Sequence, residues 1–524
     1  MYQNFFSFRE RPFKLVPNPE YFFMSRSHEE ALAHLTYAIS QGDGFVAITG
    51  EVGTGKTTLC RVFLENLDET TESAYIFNPK LNPKQLLMAI NEEFGLTFDT
   101  DNTKELIDTL NSYLMEKKAA GKKVVLLIDE AQNLARRLLS LKPKRGARVA
   151  LVAETTSRPG GSIHLTIDKE FQADVERILG HRPGAIAVLD PNTGFVLAIA
   201  SYPSFDPNLF ATGIDPKTWA DLSTNPHRPL VGRGTQGAYP PGSVFKIVTM
   251  ATGMGELGLA ADTTYVCTGT WDRLGDEFVK TCWLETGHGH ISLQDGLSQS
   301  CDVVFYDVGL ALQNADPQLL PDAARAFGLG TATSIAGVEE TAGLVPDPAW
   351  KLAQKAESWF AGDSVNLAIG QSYLLATPLQ IANMLAAVGN GGTLYRPQLV
   401  RRIVEPIGPE QVNQPEALAR LSVSPEHLAA IRRGLEGVVG GRGTAREAFE
   451  GAIFTAAGKT GTSETGQEEP HAWFAGYAPA DTPQVAVAVL LEHAGEGSKK
   501  AAPLFRQVVE AYFARQSDVP SSTG

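Results

Sequence analysis

Residues 239–246 place a serine three positions before a lysine, directly after a Pro-Pro-Gly turn. If a helix begins near Ser243, this spacing puts Ser243 and Lys246 on one face, about one turn apart. A lysine that is held there and partly desolvated can be neutral and can remove the serine's proton, which turns a weak nucleophile into a strong one. The pair alone is weak evidence, because serine and lysine often fall at this spacing by chance.

Two later motifs strengthen this interpretation. Ser-Cys-Asp occupies residues 300–302, and Lys-Thr-Gly-Thr occupies residues 459–462. Serine–lysine acyl enzymes are built from S-x-x-K, S-x-N and K-T-G motifs in this order. The chain from about residue 155 to residue 515 resembles the transpeptidase domain of class B penicillin-binding proteins of the elongation type, with matching flanks at residues 234–243, 362–371, 376–380 and 471–477.

The resemblance implies an α+β fold of the penicillin-binding and β-lactamase type, in which helices flank an antiparallel sheet. It also implies that Ser243 attacks the penultimate D-Ala carbonyl of a stem peptide, and that an amine from a neighbouring stem resolves the acyl-enzyme. Peptidoglycan stem peptides, the lipid-linked precursor and β-lactams are therefore the expected ligands. A membrane glycosyltransferase of the elongation machinery is the expected protein partner.

The same resemblance assigns expected roles to the other motif residues. Lys246 is the expected base for acylation, and Ser300 is expected to relay a proton to the leaving amine. The third position of the second motif is usually Asn, whereas Asp302 can only accept hydrogen bonds when ionised. In the third motif, Lys459 would supply a positive charge and Thr460 a hydroxyl for the substrate carboxylate. Gly461 would keep the strand surface flat, and Thr462 would provide an N–H group to the oxyanion hole.

Three cysteines and one histidine fall in one window with the spacing C-x14-C-x5-H-x12-C. Three thiolates and one imidazole make a closed set for a structural Zn²⁺ ion. The elongation-type resemblance also implies a zinc beside the active site. The alternative is that these are ordinary buried thiols with a solvated histidine. The residues concerned are Cys267, Cys282, His288 and Cys301. The fourth cysteine, Cys60, is predicted to be a small core residue.

The first 134 residues carry a second, unrelated set of motifs. Residues 44–49 are predicted to form a buried strand that runs into the Walker A sequence at residues 50–57 and then into a helix, which is the context expected of a P-loop. Residues 124–130 form the matching Walker B segment. ATP and Mg²⁺ are the predicted ligands, held by Gly50, Gly53, Gly55, Lys56, Thr57, Thr58, Asp129 and Glu130.

Residues 1–13, 23–32 and 128–134 resemble the ExeA-like AAA ATPases of bacterial secretion and pilus assembly. That resemblance stops at about Leu134, and the sensor strand, arginine finger and helical lid of the family do not follow. We therefore expect an α/β P-loop fragment with a parallel sheet that binds nucleotide, without productive hydrolysis.

The predicted organisation is a truncated P-loop AAA domain (residues 1–134), a linker (135–161), a penicillin-binding transpeptidase domain (162–515) and a disordered tail (516–524). The membrane anchor and pedestal domain of the resembled family do not precede residue 162. The chain therefore has the pattern of a chimera, in which the front of one protein is joined to the back of another.

The composition limits the class of protein. A net charge of −14 argues against nonspecific nucleic-acid binding. No apolar run approaches the ~20 residues that cross a bilayer, and the N-terminus does not have the pattern of a signal peptide. A cytoplasmic location is therefore expected, although peptidoglycan is cross-linked outside the inner membrane.

Three alternatives to the leading interpretation remain. One is a secretion-type ATPase whose C-terminal half only binds peptidoglycan, and another is a nonfunctional chimera. The third, a class A β-lactamase, is disfavoured because Lys459 lies too far along the chain from Ser243 for an enzyme of that compact size.

Overall fold

The fold is described from a computed structural model of the chain. The described residues are 24–41, 46–48, 54–68, 70–77, 81–100, 102–130, 161–211, 213–405, 409–464, 466 and 469–518. The chain divides into two compact units, Met1–Ser157 and Arg158–Gly524, which we call the N-terminal and C-terminal units. Except for Gly161, the predicted linker at residues 135–161 lies outside the described residues, so its bounds stay a prediction. No helix within these ranges combines the length and apolar character needed to cross a bilayer.

The N-terminal unit is an α/β arrangement built on two parallel strands. Its described elements are α1 (Arg26–Gln41), α2 (Lys56–Glu65), β1 (Thr71–Ile76), α3 (Pro83–Glu93), α4 (Thr103–Ala119) and β2 (Lys123–Ile128). The two strands pair along their whole length, from Thr71 opposite Lys123 to Ile76 opposite Ile128. A small buried cluster of Cys60, Phe63 and Leu127 joins α2 to β2.

The predictions for this unit are only partly confirmed. The helix after the Walker A motif is α2, and the Walker B strand is β2. However, residues 46–48, the described part of the strand predicted at 44–49, have no regular secondary structure, and Val46 is 38% exposed. Among the described strands β2 pairs only with β1, and Leu126 is 40% exposed. The buried strand predicted at residues 44–49 is not found at the described residues 46–48.

The strands of the C-terminal unit confirm an antiparallel architecture. They are β3 (Ser162–Leu165), β4 (Gly184–Leu189), β5 (Val196–Tyr202), β6 (Thr264–Cys267), β7 (Thr270–Trp271), β8 (Lys280–Thr281), β9 (Gly289–Ser292), β10 (Thr393–Tyr395), β11 (Val400–Val404), β12 (Gln411–Val412), β13 (Ala417–Arg420), β14 (Ala457–Ser463), β15 (His471–Ala478) and β16 (Val485–Leu491). The main sheet has the order β14-β15-β16-β4-β5. Strands β4 and β5 form a hairpin, and the Lys-Thr-Gly-Thr motif lies on β14 at the edge of this sheet.

The helices of the C-terminal unit cover both faces of the main sheet. They are α5 (Lys169–Leu179), α6 (Asn208–Ala211), α7 (Pro216–Ser223), α8 (Lys246–Glu256), α9 (Leu293–Ser298), α10 (Asp302–Ala315), α11 (Leu319–Ala326), α12 (Pro348–Lys355), α13 (Ala361–Ala368), α14 (Pro378–Gly389), α15 (Pro425–Val439), α16 (Arg446–Phe449) and α17 (Gly497–Asp518). Helix α14 packs on one face of the sheet, and α17 and α5 pack on the other.

This two-sided burial explains why β16 is apolar at every position. Because successive residues of a strand point to opposite faces, Ala488 belongs to the core that includes α14, whereas Val487 and Val489 belong to the core that includes Phe505 of α17. The main sheet is therefore a central layer between two sets of helices, and its edge strand β14 belongs to that layer.

The C-terminal end of the fold corrects one predicted boundary. Helix α17 continues to Asp518, so the disordered tail predicted from residue 516 begins too early. The last turns are stabilised by Gln516, which donates to the hydroxyl of Tyr512 at 3.0 Å, and by ion pairs from Arg515 to Glu170 and Asp174 of α5. Residues 519–524 lie outside the described residues.

Candidate active site and metal cluster

Ser243 lies in a tight turn at the start of helix α8. Residues Gly242–Phe245 form a 3₁₀ turn that leads into α8, and the backbone N–H of Lys246 donates to the Ser243 carbonyl. Residues three apart are eclipsed in a 3₁₀ turn, so Ser243 and Lys246 share one side as predicted. The Ser243 side chain is half-buried, and its hydroxyl makes no hydrogen bond to any described residue.

Lys246 is fully buried and donates to the second motif. Its Nζ lies 2.7 Å from Asp302 Oδ1, 2.9 Å from the Ser300 carbonyl oxygen and 3.2 Å from Ser300 Oγ. Lys246 is 0% exposed and the Asp302 side chain is 14% exposed, so this ion pair is largely removed from water. A charge buried this deeply requires a counter-charge, and the carboxylate of Asp302 provides it.

Asp302 also accepts a hydrogen bond from the segment that follows β8. Its second oxygen, Oδ2, lies 3.0 Å from the backbone nitrogen of Trp283. Ser300, two residues earlier, has a φ of 54°, a left-handed conformation that is uncommon for a residue with a side chain. That conformation turns Ser300 Oγ toward both lysines of the site. The carboxylate of Asp302 accepts at both oxygens, as predicted for this departure from the usual Asn.

Lys459 reaches the same serine from the edge strand. Its Nζ donates to Ser300 Oγ at 2.9 Å and to the Thr460 carbonyl at 3.0 Å. Complete burial, followed by the positive charge of Lys246, holds the pKa of Lys459 well below its usual range. Lys459 therefore loses its proton more easily than an exposed lysine does.

Thr444 is a site residue that the sequence analysis missed. Its hydroxyl lies 2.7 Å from the Thr460 hydroxyl, beside the Lys-Thr-Gly-Thr strand. The preceding residues 440–443 are rich in glycine and indicate a loop, but nothing in their spacing connects that loop to a strand that follows it. Two adjacent hydroxyls next to a buried lysine can bind a carboxylate group.

Gly461 and Gly242 allow the edge strand to lie directly against the nucleophile turn. A Cβ on Gly461 would lie 2.8 Å from the Pro241 carbonyl oxygen, and a Cβ on Gly242, whose φ is +55°, would lie 2.6 Å from the Thr462 carbonyl oxygen. Thr462 itself is exposed on the strand. Its carbonyl accepts from Gln371 Nε2 at 3.4 Å, a second contact that the sequence did not reveal. The structure thus brings all eight predicted catalytic residues into one site.

The predicted metal ligands Cys267, Cys282, His288 and Cys301 also come together. One ligand atom from each lies within 4.8 Å of the others, and no disulfide forms among these cysteines. The sulfurs of Cys267 and Cys282 are each 3.6 Å from His288 Nδ1. A hydrogen bond from the Cys301 thiol lowers the pKa of Cys282 to about 3, as expected of sulfurs crowded into one buried site.

The geometry of the cluster fits a tetrahedral metal ion. Bond lengths of about 2.3 Å to sulfur and about 2.0–2.1 Å to nitrogen at tetrahedral angles place S and N about 3.6 Å apart, which matches the 3.6 Å separations from His288 Nδ1. The other ring nitrogen, Nε2, is buried and has no partner among the described residues. Nδ1 is therefore the imidazole atom that faces the sulfurs, and the ligand types of the cluster suit a zinc ion.

The described part of the nucleotide motifs lies in the N-terminal unit. Gly55 has a φ of 79° and precedes Lys56, Thr57 and Thr58, which form the first turn of α2. Asp129 follows β2 and accepts from the Tyr75 hydroxyl at 3.0 Å. Burial and then the nearby Asp129 raise the pKa of Cys60, in α2, to about 11.

The two nucleotide motifs lie close together, since the charge of Asp129 affects the pKa of Cys60 on the Walker A helix. The donors of α2 and the carboxylate of Asp129 suit phosphate groups and Mg²⁺. Glu130 follows Asp129 with a φ of 54°. The predicted residues Gly50 and Gly53 lie outside the described residues.

Two family models match the chain. The penicillin binding protein transpeptidase domain matches residues 184–510, and an AAA domain matches residues 39–153. The peptidoglycan D,D-transpeptidase MrdA of Haemophilus influenzae is 35% identical over 393 residues, which cover 70% of this chain. The chain spans 59% of the length of that relative.

Solved structures agree with the family matches. The crystal structure of Pseudomonas aeruginosa PBP2 in complex with WCK 5153 is similar with a TM-score of 0.62 at 35% identity, covering 68% of this chain and 76% of that one. A complex between PBP2 and MreC from Helicobacter pylori is similar with a TM-score of 0.60 at 30% identity, covering 67% and 64%. Both likenesses support the C-terminal fold described above.

Proposed function

The chain belongs to the penicillin-binding protein transpeptidase family, and from this we propose that it is a peptidoglycan D,D-transpeptidase that acts through Ser243. The observation that carries the proposal is the convergence of three motifs on one hydroxyl: Ser300 Oγ is hydrogen-bonded to both Lys246 and Lys459 beside the nucleophile turn. The named transpeptidase of Haemophilus influenzae supports the same activity.

The proton for acylation has a route through the same hydroxyl. Ser300 Oγ lies within hydrogen-bond distance of both lysines. Lys246, acting as the base in its neutral form, takes the proton of Ser243 as the serine oxygen attacks the D-Ala carbonyl. The ester bond forms and the amide bond breaks, and the proton returns through Ser300 to the departing D-Ala amine.

Substrate binding is assigned to the edge strand. Lys459 is fully buried, so it acts on the substrate carboxylate through the hydroxyl of Thr460, with Thr444 alongside. The N–H groups of Ser243 and Thr462 face the developing oxyanion. An amine of a second stem peptide then attacks the ester and forms the cross-link. A β-lactam acylates Ser243 by the same first step and is not released by such an amine.

The test is labelling of the purified chain with a fluorescent penicillin, with Ser243→Ala as the control. We expect covalent label on the wild type and none on the variant. A folded wild-type chain that takes no label would refute the proposal. A C-terminal unit that only binds peptidoglycan, the alternative from another class, would also show no label on either protein.

We further propose that Cys267, Cys282, His288 and Cys301 hold a structural Zn²⁺ ion, since their geometry fits one. When bound, the ion would cross-link the loops that carry its four ligands. Two ligands directly precede residues of the acyl-transfer site: Cys301 precedes Asp302, and Cys282 precedes Trp283, whose N–H contacts Asp302. The cluster would thereby orient the Asp302 carboxylate toward Lys246.

For the N-terminal unit we propose binding of ATP with Mg²⁺ at Lys56, Thr57 and Asp129, which the AAA-domain match supports. We do not propose that this unit hydrolyses ATP. Binding of a fluorescent ATP analogue should be saturable and should weaken at least tenfold in Lys56→Ala. Equal affinity of the two proteins would contradict it.

The lipid-linked precursor and a membrane glycosyltransferase stay predicted partners of the C-terminal unit. The PBP2 of Helicobacter pylori is solved in complex with MreC.

A further inference from the structure

An aromatic pair lies on the surface of the C-terminal unit outside the acyl-transfer site. The rings of Trp350, on α12, and Tyr373 are 5.1 Å apart between centroids, at an interplanar angle of 55°. The ammonium of Lys355, one helical turn after Trp350, lies 5.2 Å from the centre of the Tyr373 ring. Both rings are half-buried and Lys355 is exposed. We call these three residues the aromatic platform.

The polar groups of the platform have no partner among the described residues. The indole N–H of Trp350, the hydroxyl of Tyr373 and the ammonium of Lys355 make neither a hydrogen bond nor a salt bridge there. Elsewhere in this unit, half-buried or buried tryptophans do donate: Trp271 to Asp307, Trp359 to Ser364 and Trp473 to the Pro240 carbonyl. The platform thus presents three donors around two ring faces.

A neighbouring lysine on the same helix shows the contrast. Lys351, four residues before Lys355, is buried and paired with Asp363 at 2.7 Å, so its charge is neutralised within the fold. Lys355 has no such counter-ion among the described carboxylates. An exposed and uncompensated cation beside aromatic rings is suited to bind an acidic ligand.

The platform is connected to the nucleophile turn by a short segment. The backbone N–H of Gly242 donates to the Gly370 carbonyl at 2.9 Å, and that of Tyr239 donates to the Ala376 carbonyl at 2.9 Å. The segment 370–376 is therefore tied at both ends to the residues around Ser243, and Tyr373 lies midway along it. Three extended residues reach at most about 10 Å. Tyr373 therefore lies no more than about 10 Å from Gly370, which is bonded to the nucleophile turn.

Backbone strain fixes the position of Tyr373. Ser372, directly before it, is exposed and has a φ of 72°. A residue with a side chain is held in this left-handed region only when its surroundings determine it. Gln371, one residue earlier, is tied to the Thr462 carbonyl of β14. The segment therefore aims Tyr373 at α12 while it remains joined to the acyl-transfer site.

We propose that the aromatic platform binds the sugar-proximal end of a peptidoglycan stem. A pyranose ring would pack on Trp350 beside Tyr373, the oxygens of the sugar would accept from the free donors, and a stem carboxylate would pair with Lys355. The terminal D-Ala groups of the same stem would reach Ser243, since a stem of four or five residues spans about 13–18 Å when extended. This inference rests on the proposed transpeptidase function and names a subsite for its substrate.

Calorimetric titration with two soluble ligands tests the platform. One ligand is a disaccharide–tetrapeptide and the other is the same tetrapeptide without sugar. The wild type should bind the sugar-bearing ligand roughly tenfold more tightly. Trp350→Ala should remove that advantage, and Lys355→Gln should weaken both ligands. Leu352→Ala, an exposed residue on the same helix, should change neither affinity.

The outcomes separate this inference from the proposed function. Equal affinity of the wild type for the two ligands, or an unchanged advantage in Trp350→Ala, would overturn the platform even if Ser243 is labelled by penicillin. If Trp350→Ala does not fold, the Lys355→Gln variant provides the test, because the Lys355 side chain is exposed. Unchanged affinities for both ligands in that variant would contradict binding at the platform. Penicillin labelling should be equal in all three platform and control variants that fold.

Discussion

The ammonium of Lys459 donates to the hydroxyl of Ser300 across 2.9 Å, joining residues that are 159 positions apart in the chain. Ser300 also accepts from Lys246 at 3.2 Å. One hydroxyl therefore connects the lysines of the first and third motifs. Because a low-dielectric site strengthens repulsion between like charges, two buried lysines so close together favour a state in which one of them is neutral.

Replacing Lys459 by Met should stabilise the C-terminal unit and abolish penicillin labelling. The folded state lowers the pKa of this lysine below its unfolded value of 10.5, so the unfolded chain binds the proton more readily. Burying the charge therefore costs stability below the folded pKa, and that cost disappears as pH rises toward the unfolded value. We expect Lys459→Met to gain about 1 kcal/mol at neutral pH.

The measurement is the melting temperature of both proteins across roughly pH 6 to 9. The advantage of the variant should shrink as the pH increases. A variant that melts below the wild type at every pH would contradict this account of Lys459.

Replacing Asp302 by Asn should leave Lys246 buried without a counter-ion. The Asn side chain can still accept from the Trp283 N–H, but removing one partner of a buried ion pair typically costs about 3–5 kcal/mol. Denaturant unfolding should show this loss near neutral pH.

A matched control exists in the same unit. Lys351 and Asp363 form a second ion pair at 2.7 Å, with side chains 6% and 14% exposed, close to the exposures of Lys246 and Asp302. Asp363→Asn should cost less stability, because Lys351 keeps Glu357 at 3.6 Å, and should keep penicillin labelling. Asp302→Asn should slow labelling at least tenfold. Equal labelling rates in the two variants would remove Asp302 from the reaction.

Replacing Cys282 by Ser should remove the metal from the cysteine–histidine cluster. Elemental analysis of the wild type should find about one zinc per chain, and the variant should retain little, because a serine hydroxyl is a much weaker ligand than a thiolate. Chelator should lower the melting temperature of the wild type and leave the variant unchanged. Cys60→Ser, also a buried cysteine, is the control. Loss of zinc from Cys60→Ser alone would place the ion elsewhere.

Replacing Gly461 by Ala should push the edge strand away from the nucleophile turn. The new methyl group would lie 2.8 Å from the Pro241 carbonyl oxygen and 2.9 Å from Trp473 Cβ. Overpacking of this kind typically costs about 1–3 kcal/mol, and the acylation rate should fall at least tenfold. Gly255→Ala, where a Cβ meets nothing within 4 Å, should leave acylation intact. An unchanged rate in Gly461→Ala would show that the strand need not approach so closely.

Much of the acyl-transfer site could be predicted because its motifs are local in sequence. The spacing of Ser243 and Lys246 follows from one turn of helix, and the antiparallel sheet was implied by the resemblance that these motifs carry. The partners of each group could not be predicted. Lys246 bonds to Asp302 and Ser300, and Thr444 meets Thr460, only because separate helices and loops converge in space.

The N-terminal unit shows the opposite limit. An apolar run such as residues 44–49 predicts a strand, but a strand also needs a neighbour that accepts and donates its backbone hydrogen bonds. The described residues 46–48 do not pair with any described strand. At these three residues, the pattern of apolar residues therefore predicted a strand that is not formed.

The wall beside Ser243 is built from backbone at Gly242, Gly370 and Gly461. An added Cβ at these positions would lie 2.6, 2.1 and 2.8 Å, respectively, from a main-chain oxygen, and a carbonyl of a neighbouring segment cannot rotate away as a side chain can. Under the proposed function, a substitution at one of these glycines that hinders a β-lactam would also displace the main chain around Ser243. Drug resistance by that route would therefore impair the reaction with the natural substrate as well.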